Sequence, residues 1–141
     1  MSDSGRSFVI RSGSGSVKDG MTILAQLAVG VVAALHAWFL VLEMFLWTKP
    51  FGRRVFHLSA DYARASAPLA KNQGLYNGFL AAGLVWGLLA GDAGFPIQVF
   101  FLSCVVAAGV FGALTANRVI LWAQALPGAV ALALVLLARQ P

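Results

Sequence analysis

Four apolar runs, at approximately residues 23–46, 73–91, 95–115 and 119–138, occupy most of this 141-residue chain. Each is close to the roughly 20 residues that a helix needs to cross the hydrocarbon of a bilayer. Inside hydrocarbon every backbone N–H and C=O must be paired within the protein, so unalternating runs of this length fold as helices. Composition agrees: 60% of residues are hydrophobic and only 11% are charged, against roughly 25% charged in soluble domains. The expected fold is therefore all-α, a four-helix transmembrane bundle, with residues 21–141 as one four-span integral membrane domain and no room for a soluble one. The single cysteine, Cys104, lies within the third run; it cannot form an intramolecular disulfide and says nothing about redox compartment.

Residues 1–20 differ in kind. MSDSGRSFVIRSGSGSVKDG is rich in Gly and Ser, mixed in charge and without sustained periodicity. Such a stretch buries too little apolar surface to offset chain entropy, and it lacks the continuous apolar core of a signal peptide. It is expected to be a flexible extension, or an over-long start ahead of Met21.

Loop charge sets the expected orientation. With four spans, both termini share one side with the short GDAGFP connection at 91–96, and the other side receives the loop at about 47–72 and the turn near Asn117. That loop side carries Lys49, Arg53, Arg54, Arg64, Lys71 and Arg118, against Arg139, Arg6, Arg11 and Lys18 on the terminal side. The positive-inside rule places the long loop in the cytoplasm and both termini outside the cytoplasmic membrane. Within the loop, Phe51, Val55, Leu58 and Tyr62 recur at helical spacing while Arg53, Arg54, His57 and Arg64 point elsewhere. Two readings stay open: a short amphipathic helix lying on anionic headgroups, or an ordinary solvated loop with its positive-inside charges. Pro50 and Pro68 are expected to end helices near those points. The sequence pI of about 10.2 reflects orientation charges, so nucleic acid is not an expected partner.

Small residues mark the expected helix contacts. Gly83, Gly87 and Gly91 repeat every four residues after Gly74 and Gly78, and Ala108, Gly112 and Ala116 form a second series. Small residues at this interval let helix backbones approach closely in lipid. Pro127, preceded by Gln124, is expected to bend the fourth helix.

Sorted by depth, the polar side chains of all four runs gather towards the loop side. Glu43 falls about 6 Å below that boundary and Gln124 about 8 Å below it, from a helical rise of about 1.5 Å per residue. Tyr76 and Asn77 share this depth, with Asn72 and Gln73 just above and Trp47 at the boundary. His36, seven residues before Glu43 on the same helix face, lies about 10 Å deeper. The outer half is apolar apart from Gln26, Gln98 and Ser103. The reading is a polar pocket that opens towards the cytoplasm and is closed outward. Simpler readings stand beside it: Glu43 snorkels to the boundary, His36 hydrogen-bonds a neighbouring helix, and Tyr76, Asn77 and Gln124 join helices together.

Three stretches, LEMFLWTKPFGRRVFHLS, AKNQGLYNGFLAAGLVWGL and GALTANRVILWAQALPG, carry a resemblance. They are similar to the domain-of-unknown-function family 1304, small four-span membrane proteins of bacteria and fungi, some of which bear the name "epimerase". The likeness covers about residues 21–138; its most specific block, N-Q-G-x-Y-N-G-F-L-A-A-G-L, runs from Asn72 to Leu84. It implies a four-helix membrane protein and carries His36, Glu43, Trp47, Asn72, Gln73, Tyr76, Asn77, Gln124 and Pro127 as pattern positions. The N-terminal extension departs from the pattern. No G-x-G-x-x-G nucleotide turn stands behind the name "epimerase" in this chain.

The residue inventory narrows the chemistry. A zinc site needs three or four ligands, and His36 with Glu43 supplies two, so no metal site is assigned. His36 alone could ligate a haem, but a lone histidine is a weak signal, and the cofactor question stays open. No Ser-His-Asp set is present, because Ser103 lies in the outer half. Acid–base chemistry on a small lipophilic molecule remains, of the isomerase type. In it Glu43, His36 and Tyr76 are the candidate catalytic residues, and Trp47, Asn72, Gln73, Asn77 and Gln124 the candidate substrate-binding ones. The competing classes are a non-catalytic membrane binder, a transporter and a structural membrane subunit. Expected partners are membrane lipids and a small lipophilic ligand, with a homo-oligomer left open. The topology is testable directly. Cysteines at positions 64 and 92, in a Cys104→Ser background, are expected to label from opposite sides of intact cells; labelling of position 92 from the cytoplasmic side inverts the orientation.

Overall fold

The computed structural model describes residues 14–140, and among them the regular elements are helical. Helix α1 spans Ser14–Val41 and continues into a π-helical turn at Leu42–Leu46. A short helix α2, Pro50–Val55, follows, and then α3, Ala60–Leu89. A 3₁₀ turn at Gly91–Ala93 leads to α4, Gly94–Thr115. A second π-helical turn, Leu121–Ala125, opens α5, Leu126–Ala138. Helix α1 packs on α3 and α5, and α4 packs on the same two, which closes a four-cornered bundle. Its centre is dry: Val29, Val32, Leu84, Leu102, Val105, Ala131 and Val135 are buried together.

Three of the four long helical segments are both long and apolar enough to cross a membrane: Val17–Leu46, Gly91–Thr115 and Leu121–Ala138. The sequence reading expected a fourth in α3. Its membrane-length stretch carries Asn72, Gln73 and Asn77, which cost several kcal/mol of transfer free energy in total.

Several boundaries differ from expectation. Helix α1 begins at Ser14, so residues 14–20 of the Gly/Ser-rich stretch are helical, with the Thr22 hydroxyl donating to the Lys18 carbonyl at 3.0 Å; residues 1–13 lie outside the described ones. Extending a helix costs far less than nucleating one, and the apolar run beyond Met21 supplies the nucleus. Pro68 does not end a helix but sits inside α3, where loss of one N–H donor is tolerated in a long, packed helix. Pro50, by contrast, opens α2, a position where its missing N–H would be unpaired anyway. The helical pattern read from Phe51 to Tyr62 is interrupted, because α2 stops at Val55 and His57 turns the chain with φ 55°.

Glycines set the closest approaches, though not all of those expected. Gly74 on α3 lies against the α1 backbone, where a Cβ would meet the Leu40 carbonyl oxygen at 3.2 Å. In α4 the closest contact falls to Gly109; of the expected series, Gly112 is half-buried against Ile120, whereas Ala108 and Ala116 are exposed. A Cβ on Gly109 would stand 2.7 Å from the Ala125 nitrogen, and backbone cannot yield as a side chain can. Gly109→Ala is therefore expected to destabilise the bundle by about 1–3 kcal/mol. Gly30→Ala, where nothing lies within 4 Å, is expected to be neutral or slightly stabilising, because alanine is the better helix former. Equal melting temperatures for the two variants in detergent would contradict the close α4–α5 crossing.

Candidate functional site

The sequence-named residues divide into those the fold brings together and those it sends outward. Glu43 and Asn77 meet: the Asn77 side-chain amide donates to the Glu43 carboxylate at 2.7 Å, between α1 and α3. Close packing at Gly74, one turn before Asn77, brings the two helices near enough for these short side chains to touch. Gln124 reaches the Val105 carbonyl of α4 at 3.2 Å. Trp47 donates its indole N–H to the Ser66 hydroxyl at 3.0 Å, and its ring lies against Phe56 with centroids 4.8 Å apart. Tyr76 is 52% exposed and stacks edge-on to Phe79 on the outer surface of α3. Asn72 and Gln73 are exposed as well. Tyr76, Asn72 and Gln73 thus stand apart from the Glu43–Asn77 pair, because helical twist carries them onto the outer face of α3 although their depth is similar.

His36 is the most buried polar residue, at 1% exposure. Its Nδ1–H donates to the Val32 carbonyl one turn back at 2.8 Å; a carbonyl can only accept, so this nitrogen carries the proton. In the neutral ring the lone pair then sits on Nε2, which is buried without a hydrogen-bond partner. Phe39 packs edge-on to the ring at 5.7 Å and helps to hold it. An unpaired buried acceptor costs about 1–3 kcal/mol.

Sequence reasoning missed the two π-helical turns. Glu43 lies in Leu42–Leu46 and Gln124 in Leu121–Ala125, so both polar side chains issue from widened turns at the loop end of the bundle. Pro127 was the available signal. It has no N–H to return to the preceding turn, and there the Leu126 N–H reaches back to the Leu121 carbonyl. Such turns are rare and recur at functional sites. At the terminal end lies a separate cavity of about 190 Å³, lined by Gln26, Asp92, Phe95, Gln98 and Arg139 among others. Gln98, 3% exposed, donates to the Gln26 side chain at 3.2 Å and to the Gly87 carbonyl at 2.9 Å. Among the described residues no cluster of three His, Cys, Asp or Glu could hold a metal ion.

An all-α bundle with three membrane-length apolar helices and paired polar groups between helices defines a helical membrane protein. More particularly, the family model described as "Protein of unknown function (DUF1304)" matches residues 30–136, and the chain belongs to that family. The uncharacterized protein YpaA of Lactococcus lactis subsp. lactis (strain IL1403) is 31% identical over 106 residues, covering 74% of this chain and 89% of that protein. No solved structure matches.

The Glu43–Asn77 contact is open to a direct energetic test. Glu43→Gln preserves shape and an acceptor oxygen and is expected to leave the melting temperature nearly unchanged. Glu43→Leu strands the Asn77 amide, and a double-mutant cycle with Asn77→Ala should give a coupling of about 0.6–1.7 kcal/mol. Zero coupling, with Glu43→Leu stabilising, is the outcome for a carboxylate that merely snorkels to the boundary.

Proposed function

We propose that the chain is a four-span protein of the cytoplasmic membrane that takes up a small lipophilic molecule bearing a hydrogen-bond donor in the loop-side half of its bundle. The observation that carries this reading is the His36 Nε2, a buried basic lone pair with no partner. A hydroxyl or N–H on the ligand would supply that partner. Glu43, paired to Asn77 nearer the boundary, would stand where the ligand enters. If the protein is an enzyme, the pair His36 and Glu43 supports proton transfer of the isomerase type, with His36 as base and Glu43 exchanging the proton with the cytoplasmic side. Tyr76 has no part in this version, since its ring faces outward.

A non-catalytic structural subunit is the competing reading, favoured by the close glycine contacts of α3 with α1 and α4. The two separate on one pair of variants. His36→Leu removes the unpaired acceptor; in a structural subunit it is neutral or stabilising and nothing else changes. Under the proposed function it abolishes retention of a co-purifying lipophile, measured by native mass spectrometry and extraction of the detergent-purified protein. Glu43→Gln should leave retention intact but remove the carboxylate limb of any pH dependence of binding or turnover, leaving the limb that belongs to His36. Wild-type protein that carries no lipophile, and gains no thermal stability from a panel of hydroxylated lipophiles, overturns the proposal.

A further inference from the structure

Helix α2 ends in a way that its sequence does not favour. The Leu58 N–H returns to the Arg53 carbonyl at 2.8 Å, and the His57 N–H to the Arg54 carbonyl at 3.4 Å. These two bonds make a Schellman motif, which needs a left-handed residue at its turning point. Glycine is the residue of choice there. This chain instead holds His57 at φ 55°, a conformation that side chains with a Cβ adopt at a cost. Histidine is among the side chains that tolerate this left-handed position better than most, and here the turn holds the imidazole beside the end of α2.

What the strain achieves is a basic bowl. His57 stands with Arg53, Arg54, Pro50 and Leu58 around an open depression of about 730 Å³. The Arg53 Nε is buried without a hydrogen-bond partner. Among the described residues the one ion pair is Arg64–Asp61, so neither Arg53 nor Arg54 is neutralised by a carboxylate within these residues. The bowl is also fixed in place. A Cβ on Gly52 would collide with the Leu46 carbonyl, so α2 lies directly on the end of the first long helix. On another face of α2, Phe51 and Val55 are 45% and 44% exposed, and Phe51 packs edge-on to the exposed Trp38 of α1 at 6.3 Å. Exposed Phe, Val and Trp beside a cluster of arginines is the pattern of a helix seated at the headgroup boundary, apolar side in lipid and basic side among phosphates.

We infer that Arg53, Arg54 and His57 form a binding site for the phosphate of an anionic phospholipid. Guanidinium groups bind phosphate oxygens through paired, charge-assisted N–H bonds, and the imidazole adds a third donor. The site is separate from the His36 ligand and rests on the membrane reading only in placing α2 at the headgroups. Membrane insertion is checked separately, by resistance to carbonate extraction.

The test is retention of phosphatidylglycerol against phosphatidylcholine by the full chain in mixed micelles, read by native mass spectrometry. Wild-type protein should retain phosphatidylglycerol selectively. Arg53→Gln with Arg54→Gln should lower that retention by about ten-fold. His57→Gly is the decisive variant, because it relieves the turn: its melting temperature should hold or rise while phosphatidylglycerol retention falls by several-fold. Unchanged retention in His57→Gly and in the arginine pair overturns the inference, as does equal retention of both lipids by wild type. Full displacement of phosphatidylglycerol by millimolar inorganic phosphate, with the same gain in melting temperature, also overturns it, since the site would then serve a soluble phosphate.

Discussion

Polar groups that have no water to turn to must find partners inside the protein, and several in this bundle do so across or along a helix. The Gln98 amide ties the α3–α4 hairpin together through the Gly87 carbonyl and then reaches Gln26 of α1. Gln124 holds the start of the last helical segment to α4 through the Val105 carbonyl. The hydroxyls of Ser103 and Thr115 turn back onto the Val99 and Phe111 carbonyls. Satisfaction of this kind contributes modestly per bond in a membrane, but leaving a group unmet is costly. Against that background the bare Nε2 of His36 is an exception.

The arrangement has two polar ends and a dry middle. Gln26, Gln98, Asp92 and Arg139 gather around the cavity at the terminal end, while Glu43, Asn77 and Gln124 sit towards the loop end. Between Gln26 and His36, α1 presents the buried Val29, Val32 and Ala33, opposite Leu84, Leu102 and Val105. That layer spans on the order of 10 Å at the rise of an α-helix. A static polar route from end to end is therefore interrupted.

Widened turns link the chemistry to the architecture. A π-helical turn carries an additional residue and shifts the side chains beyond it around the helix axis. Placed at Leu42–Leu46, it precedes the exit of α1 into α2, whose Gly52 lies against Leu46. Placed at Leu121–Ala125, it sets Ala125 against Gly109 just where Pro127 interrupts the donor ladder. The same irregularities that let the helices cross closely also position Glu43 and Gln124.

Much of this was legible in the residues, for physical reasons that can be named. Apolar length and scarcity of charge determine helices and a membrane class, since an unalternating apolar run of about 20 residues satisfies its backbone in hydrocarbon as a helix, whereas barrel strands alternate. Depth follows from the helical rise, so a shared level for Glu43 and Asn77, which meet in the structure, could be read without coordinates, and the signature Asn72–Leu84 pointed to the family. Azimuth could not be read so surely. Around a helix each residue turns by 100°, and which direction faces a neighbour depends on partners far away in sequence. Tyr76 therefore fell on the outer face beside an inward Asn77, and Gly109 makes the closest α4 contact while Ala108 and Ala116 stay exposed. Local breaks were equally hidden: Pro68 continues a helix because tertiary packing outweighs one lost bond. His57 adopts a glycine-like turn where the Leu58 and His57 N–H groups return to the Arg53 and Arg54 carbonyls. Length, class and depth are sums over local residues, whereas facing, pairing and strain belong to the contacts between helices.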